Sequence, residues 1–181
     1  MAFVSLATMK IVQHTYLLIA ATALFLGSED SKPAKPTTAP VVNTIPADDV
    51  KRESIIAYAK QYLGIRYKYA SGSPAKGFDC SGFVNFVYKH FNIEVPRSSS
   101  GFTKLGKSLK PEQFRVGDIL VFYGYRNNKS VGHVGIVYEA NGMKSKFIHA
   151  SSGKEMAVTV SDLGSEMYTR RFYKCISPLS L

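Results

Sequence analysis

The sequence is poor in cysteine, in histidine and in long apolar runs. Two cysteines in 181 residues cannot staple a small disulfide scaffold, nor build a four-ligand zinc finger without drawing on the four histidines. The 14 glycines carry no Gly-X-Y period, which excludes a collagen-like chain, and no internal repeat of solenoid length occurs. Charged residues make up only 20% against 45% hydrophobic ones, so a packed core is expected and not disorder. The length suits one ordinary domain plus a tail and is too short for two full cores.

The apolar run Tyr16–Leu26 has eleven residues, well short of the roughly 20 that cross a bilayer as a helix. With Lys10 before it and Gly27-Ser28-Glu29-Asp30 after it, it has the form of a secretory signal. Ala21-Thr22-Ala23 lies inside the run, and Leu26-Gly27-Ser28 puts a large residue where a small one is preferred at a cleavage site. A cleaved signal peptide and an uncleaved anchor therefore both stay open for residues 1–27. Met9 reads as a more natural start than Met1, and no cysteine follows the run to accept a lipid. Residues 28–47 hold four of the eight prolines (Pro33, Pro36, Pro40 and Pro46) and read as an extended spacer. The folded unit is expected over 48–181, in a protein exported to the envelope or periplasm, or secreted.

Within that unit the hydrophobic period is first helical. Asp48-Asp49 offers an N-cap, and Val50, Ile55, Ile56, Ala59, Tyr62 and Leu63 recur at helix spacing up to Gly64. Asp79 precedes a second helix with Phe83, Val84, Val87, Tyr88 and Phe91 on one face. Past Pro111 come short β-branched and aromatic stretches, predicted as strands: 118–123, 131–138, 146–150, 157–160 and 169–176. Helices followed by sequential strands predict an α+β fold with a mainly antiparallel sheet.

Cys80 falls at the first turn of the second helix. Unpaired N–H groups and the partial positive charge of a helix start favour thiolate over thiol and can receive the oxyanion of a tetrahedral intermediate. The plainer alternative is a small buried hydrophobe. A nucleophile needs a base. His133 sits in a strand between Gly132 and Gly135, a strange choice for packing alone, and His149 lies on the next strand. Opposed residues of an antiparallel pair share a face and their numbers sum to a constant. A turn centred on Asn141 gives 282 and sets the two histidines side by side. A two-residue Asn141-Gly142 turn, favoured by local turn chemistry, gives 283 and sends them to opposite faces. The longer loop is the expectation here, with one histidine as base and the other orienting it. Cys175, in the last strand, reads as core, though an exported chain permits a Cys80–Cys175 disulfide. A zinc site from Cys80, His133, His149 and Cys175 lacks close ligand pairs. His90 reads as a helix-end residue.

Phe78-Asp79-Cys80-Ser81-Gly82-Phe83-Val84, His133-Val134-Gly135-Ile136-Val137 and Phe147-Ile148-His149-Ala150-Ser151 resemble the NlpC-type cysteine peptidases, papain-like hydrolases of bacterial cell walls, the short Spr-type murein endopeptidases among them. Pro96-Arg97-Ser98 and Gly117–Phe122 match connecting motifs, and the likeness runs from about Ala57 to Ile176. The resemblance implies that Cys80 is the nucleophile, His133 the general base and His149 the residue that orients it. It further implies that Tyr67 borders the oxyanion and that Asp79 and Ser81 hold a substrate amine. Family members usually show Gly-Gly at Ala70-Ser71 and often Trp at Tyr69, which bears on the loop over the cleft.

The implied activity is a peptidoglycan endopeptidase that cuts an amide bond in stem peptides or cross-links through a Cys-His-His triad and an acyl-enzyme, with no metal or cofactor. The other classes in play are a papain-like amidase or acyltransferase of the envelope, and a wall-binding module without catalysis. The expected partner is the peptidoglycan stem peptide. Nucleic acid is not expected, the membrane is met only through an uncleaved anchor, and the chain is expected to be a monomer. Residues 48–181 carry 20 Lys and Arg against 11 Asp and Glu, a surplus that suits the carboxylates of stem peptides.

Overall fold

The computed structural model describes residues 46–126 and 129–181. The predicted signal or anchor (1–27) and most of the predicted spacer (28–45) lie outside the described residues.

Helix α1 (Ala47–Lys60) carries Ile55, Ile56 and Ala59 on its buried side. Val50, expected on the same face, is about half exposed, because the core takes only the narrower Ile55–Ala59 stripe. The helix, expected up to Gly64, ends at Lys60, so Leu63 falls in the turn after it and is also about half exposed. The expected Asp48-Asp49 cap is also corrected. The N-cap is Pro46, whose carbonyl accepts from the Asp49 and Val50 N–H groups. Both aspartates lie inside the first turn, where the helix field favours them. Arg52 on this helix is buried and pairs with buried Asp118 at 2.7 Å. It also donates to the Val116 carbonyl and to Ser177 Oγ, tying α1 to the sheet and to the C-terminal segment.

Gly64 turns the chain with φ +82°, a conformation that glycine adopts without strain. A short hairpin, β1 (Gly72–Ser73) and β2 (Gly77–Phe78), delivers the chain to α2 (Cys80–His90). Strands β3 (Ile119–Tyr123), β4 (Val131–Glu139), β5 (Lys146–Ala150) and β6 (Val158–Asp162) follow, then helix α3 (Glu166–Arg171) and β7 (Phe172–Ile176). The five-stranded sheet has the order β6-β5-β4-β3-β7, and every pairing is antiparallel. This is the expected α+β class. The expected strand over 169–176 is shortened, because 169–171 belong to α3, a helix too short to show a hydrophobic period.

Strand alternation divides the core. One sheet face presents Ile119, Val121, Val134, Ile136, Ile148 and Ala150 to the apolar sides of α1 and α2. The other presents Leu120, Phe122, Val137, Phe147 and Cys175 to Phe114, Leu163 and Tyr168. Cys175 is therefore core, and both cysteines are free.

The β4–β5 connection takes the longer form. Residues 140–145 make a loop in which Ser145 Oγ accepts from the Asn141 N–H and donates to the Gly142 carbonyl. Ile136 faces Ile148 and Val137 faces Phe147, a constant of 284 and not the expected 282. The parity is as expected, so both histidines lie on one face, but they meet diagonally and not side by side. Continuing this register sets Gly135 opposite His149. A Cβ on Gly135 would come within 2.5 Å of Phe147 Cδ2 and 3.1 Å of His149 Cβ. Gly135→Ala is therefore expected to destabilise the domain by about 1–3 kcal/mol through overpacking, measured as a lowered urea midpoint with an unchanged m-value.

Candidate active site

The site begins where α2 begins. Asp79 has extended backbone, and its Oδ1 accepts from the Gly82 N–H at 2.6 Å, the N-cap bond that fixes the first turn. Gly82 has no room for a side chain, since a Cβ there would lie 2.2 Å from the Ser71 carbonyl. Arg97 grips the Asp79 carboxylate with two nitrogens, at 2.9 and 2.7 Å, a bidentate charge-assisted pair. Ser81 Oγ also donates to Asp79 Oδ1. Asp79 and Ser81, expected at a substrate amine, are thus buried and turned toward Arg97, with the carboxylate engaged inside the fold.

Cys80 is 9% exposed. Its Sγ lies 4.0 Å from the Gly132 carbonyl, and the Val134 N–H also reaches it. These two groups flank His133. They project from the edge of β4 beyond the point where the paired residues of β5 begin, so the ladder leaves them for the thiol. The helix start and the strand thereby hold Cys80 against the backbone that carries His133.

His133 Nε2 and His149 Nδ1 are 2.9 Å apart. On its other side His149 Nε2 lies 3.0 Å from Ser161 Oγ and 3.4 Å from the Tyr168 hydroxyl. The rings of Phe122, Phe147 and Tyr168 wall in the two imidazoles. Tyr67 is half-buried, with its hydroxyl beside Ser152 and within electrostatic reach of Cys80. The Tyr67 N–H bonds to the Met156 carbonyl at 2.7 Å. Tyr69 next to it stands 84% exposed, and Ala70 adopts φ +55°, a region that favours glycine. His90 lies apart from the site, stacked on Tyr58 with ring centroids 3.9 Å apart.

Burial dominates the electrostatics. It drives His149 down to about 3, with the Arg171 charge adding to the effect. It drives His133 well below the usual imidazole range, helped by His149 and Arg171. Burial likewise pushes the Cys80 thiol up, while the N–H groups of Val134, Ser81 and Cys80 itself pull it down. The expected resting thiolate is therefore corrected. Desolvation works against the helix terminus at Cys80 and against protonation of both imidazoles. Arg97, Ser161, Tyr168 and Arg171 were not singled out from sequence. Of these, Ser161 had a signal: it pairs with Phe147 and so shares the face of His149 by parity.

A protein-family model described as the NlpC/P60 family matches residues 64–177. Over 133 residues the chain is 34% identical to an Escherichia coli protein named murein DD-endopeptidase MepS/murein LD-carboxypeptidase, covering 73% of this chain and 65% of that one. Over 111 residues it is 33% identical to the gamma-DL-glutamyl hydrolase of Bacillus subtilis, covering 61% of this chain and 26% of that one. A crystal structure of an NlpC/P60 family protein from Bacillus cereus superposes with a TM-score of 0.62 at 28% identity, over 71% of this chain and 40% of that one. The chain thus spans 65% of the E. coli relative and about a quarter of the B. subtilis one.

A histidine held neutral by burial binds fewer protons folded than unfolded. Its contribution to stability is complete above the ordinary value of 6.5 and is lost as pH falls toward the folded value, about 3 for His149. The unfolding free energy is expected to fall across that window, by up to about 1.4 kcal/mol per pH unit from His149 alone. His149→Asn should flatten the fall. Urea denaturation at stepped pH measures this, and parallel curves for the two proteins would contradict it.

Proposed function

The chain belongs to the NlpC/P60 family, and on that premise we propose that it is a peptidoglycan endopeptidase that hydrolyses an amide bond in stem peptides or their cross-links. The observation that carries this reading is the chain of contacts from Cys80 to the β4 backbone around His133, and from His133 to His149 at 2.9 Å. The names of the E. coli and B. subtilis relatives, a murein endopeptidase and a glutamyl hydrolase, support the substrate class.

In this mechanism His149 Nδ1 accepts the Nε2–H of His133, which leaves His133 Nδ1 as the base. His149 Nε2–H in turn donates to Ser161 Oγ. As substrate enters, Cys80 passes its proton to His133 while the sulfur attacks the amide carbonyl carbon. The oxyanion is received by N–H groups at the start of α2 and by the Tyr67 hydroxyl. Collapse breaks the C–N bond, and the departing amine takes the proton from His133. Water then gives a proton to His133 and attacks the thioester, releasing the carboxylic acid half and restoring the Cys80 thiol. Because burial disfavours charge on both groups, charge separates as the bond forms. Asp79, clamped by Arg97, sets the helix start and so the position of Cys80, instead of receiving the substrate amine. Residues 1–27 carry the chain out of the cytoplasm as signal or anchor, and 28–47 set the domain, acting as a monomer, at a distance in the envelope.

Cys80→Ala is expected to abolish release of soluble muropeptides from purified sacculi with an unchanged melting temperature. His133→Ala should cost about a thousandfold in kcat, within the range of general base catalysis, and His149→Ala roughly ten- to a hundredfold, since orienting is a smaller task than proton transfer. Mass spectrometry of the products identifies the bond. Full activity in Cys80→Ala would overturn the assignment, and products that lack a peptide cut would favour an amidase or acyltransferase.

A further inference from the structure

A cavity of about 740 Å³ opens beside the histidines. Its walls include His133 and Ser161 but not Cys80, together with Arg126, Lys154, Glu155 and Arg171. Three cations therefore face one carboxylate across it. Glu155 already accepts from the Ser151 hydroxyl, and among the described residues none of the three cations has an ion-pair partner.

Arg171 is the fixed member of the set. It is half-buried at the end of α3, and its Nε donates to the Tyr123 carbonyl at 3.0 Å. The guanidinium lies over the rings of Tyr125 and Tyr168, 5.6 and 5.9 Å from their centroids. A guanidinium held in place and always charged suits planar, two-point recognition of a carboxylate. Cations gathered on one cavity wall without ion-pair partners favour an anion bound among them.

Resting on the reading above, in which His133 hands its proton to the departing amine, the cavity adjoins the half of the substrate that leaves. We propose that this cavity is the leaving-group subsite and that Arg171, assisted by Arg126 and Lys154, binds a free carboxylate on the residue whose amine is released. This narrows the choice of bond. In a D-alanyl-diaminopimelate cross-link, the amine released is attached to a carbon bearing a free carboxylate. In the γ-D-glutamyl-diaminopimelate bond of a tetrapeptide, the neighbouring carboxyl is itself in amide linkage. The subsite therefore favours the cross-link.

The test uses a cross-linked muropeptide dimer and its analogue carrying a carboxamide in place of that carboxylate. The wild-type protein is expected to cut the acid with a kcat/KM roughly 10- to 100-fold above the amide, the range for one hydrogen bond to a charged group, and mainly through KM. Arg171→Gln should remove most of that preference, the acid's kcat/KM falling much further than the amide's, and Arg171→Lys should restore part of it. Lys154→Gln, on an exposed loop, keeps the test open if Arg171→Gln fails to fold, and should lower the preference by a smaller factor. Separately, calorimetric titration of Cys80→Ala protein with L-Ala-γ-D-Glu-diaminopimelate is expected to show binding that Arg171→Gln and carboxyl amidation each weaken. Equal losses on acid and amide, or binding indifferent to amidation, would overturn the subsite. Carboxylate-dependent binding without cleavage of either dimer would instead overturn the endopeptidase reading and leave the subsite standing.

Discussion

The site depends on the pairing register of β4 with β5. His133 and His149 come from different strands, and their 2.9 Å contact exists only because both side chains leave the same face of the sheet. A slip of one residue would send one ring to the α2 side and leave the other without its partner. Several features pin the register. Ile136–Ile148 and Val137–Phe147 lock opposite cores together. The loop 140–145 is fixed by Ser145, and Gly135 admits the diagonal approach of the rings. The β4–β5 pairing stops at Ile136–Ile148, which leaves the Gly132 carbonyl and Val134 N–H outside that ladder and beside Cys80. The geometry of the candidate site and that of the sheet are one constraint here.

A second contest is between the field of a helix start and the cost of burying charge. The first turn of α2 stabilises an anion at Cys80, while aromatic walls and close packing raise the cost of any charge. Burial wins for all three groups, since Cys80 is pushed up and both histidines are pushed down. Burial of this kind disfavours charge on the sulfur and on both rings. In the proposed mechanism the N–H groups would act where charge develops, which is the arrangement that lowers a barrier instead of a ground state.

What the sequence made legible were the features with a strong period or a local mechanism. The α2 face from Phe83 to Tyr88 shows the helix repeat, Asp79 sits at its cap, and strand parity put His133 and His149 on one face. The register constant itself was off by two, because a bulge between Val137 and Glu139 and the six-residue loop follow from tertiary packing and not from Asn141-Gly142 chemistry. Helix α3 was read as strand because six residues cannot display a 3.6 period. Val50 and Leu63 share the helical spacing yet stand half exposed, because periodicity reports neither the width of a buried face nor where the helix ends. The thiolate was expected because a helix start is visible in sequence, whereas the depth of burial that opposes it is a property of the whole fold. Ser161 and Arg171 act through partners far along the chain, and neither sits in a motif that names its role.

The positive charge of the domain looks scattered in sequence, but two groups within it differ in kind in space. Arg52 is sunk against Asp118, Arg97 is clamped on Asp79, and buried Lys174 caps the carbonyls of Thr103 and Leu105. These cations hold the chain together and offer little to a ligand. Arg126, Lys154 and Arg171 are different, because they converge on one cavity without carboxylate partners. Net charge alone would treat both groups as one basic surface, able to attract any polyanion. Once the internally paired cations are set aside, Arg126, Lys154 and Arg171 stand out as a local group beside His133. Arg171 belongs to both accounts, since its charge also depresses His133 and His149. A carboxylate bound there would offset that charge, ease protonation of His133, and so favour proton transfer from Cys80 when the leaving half is in place.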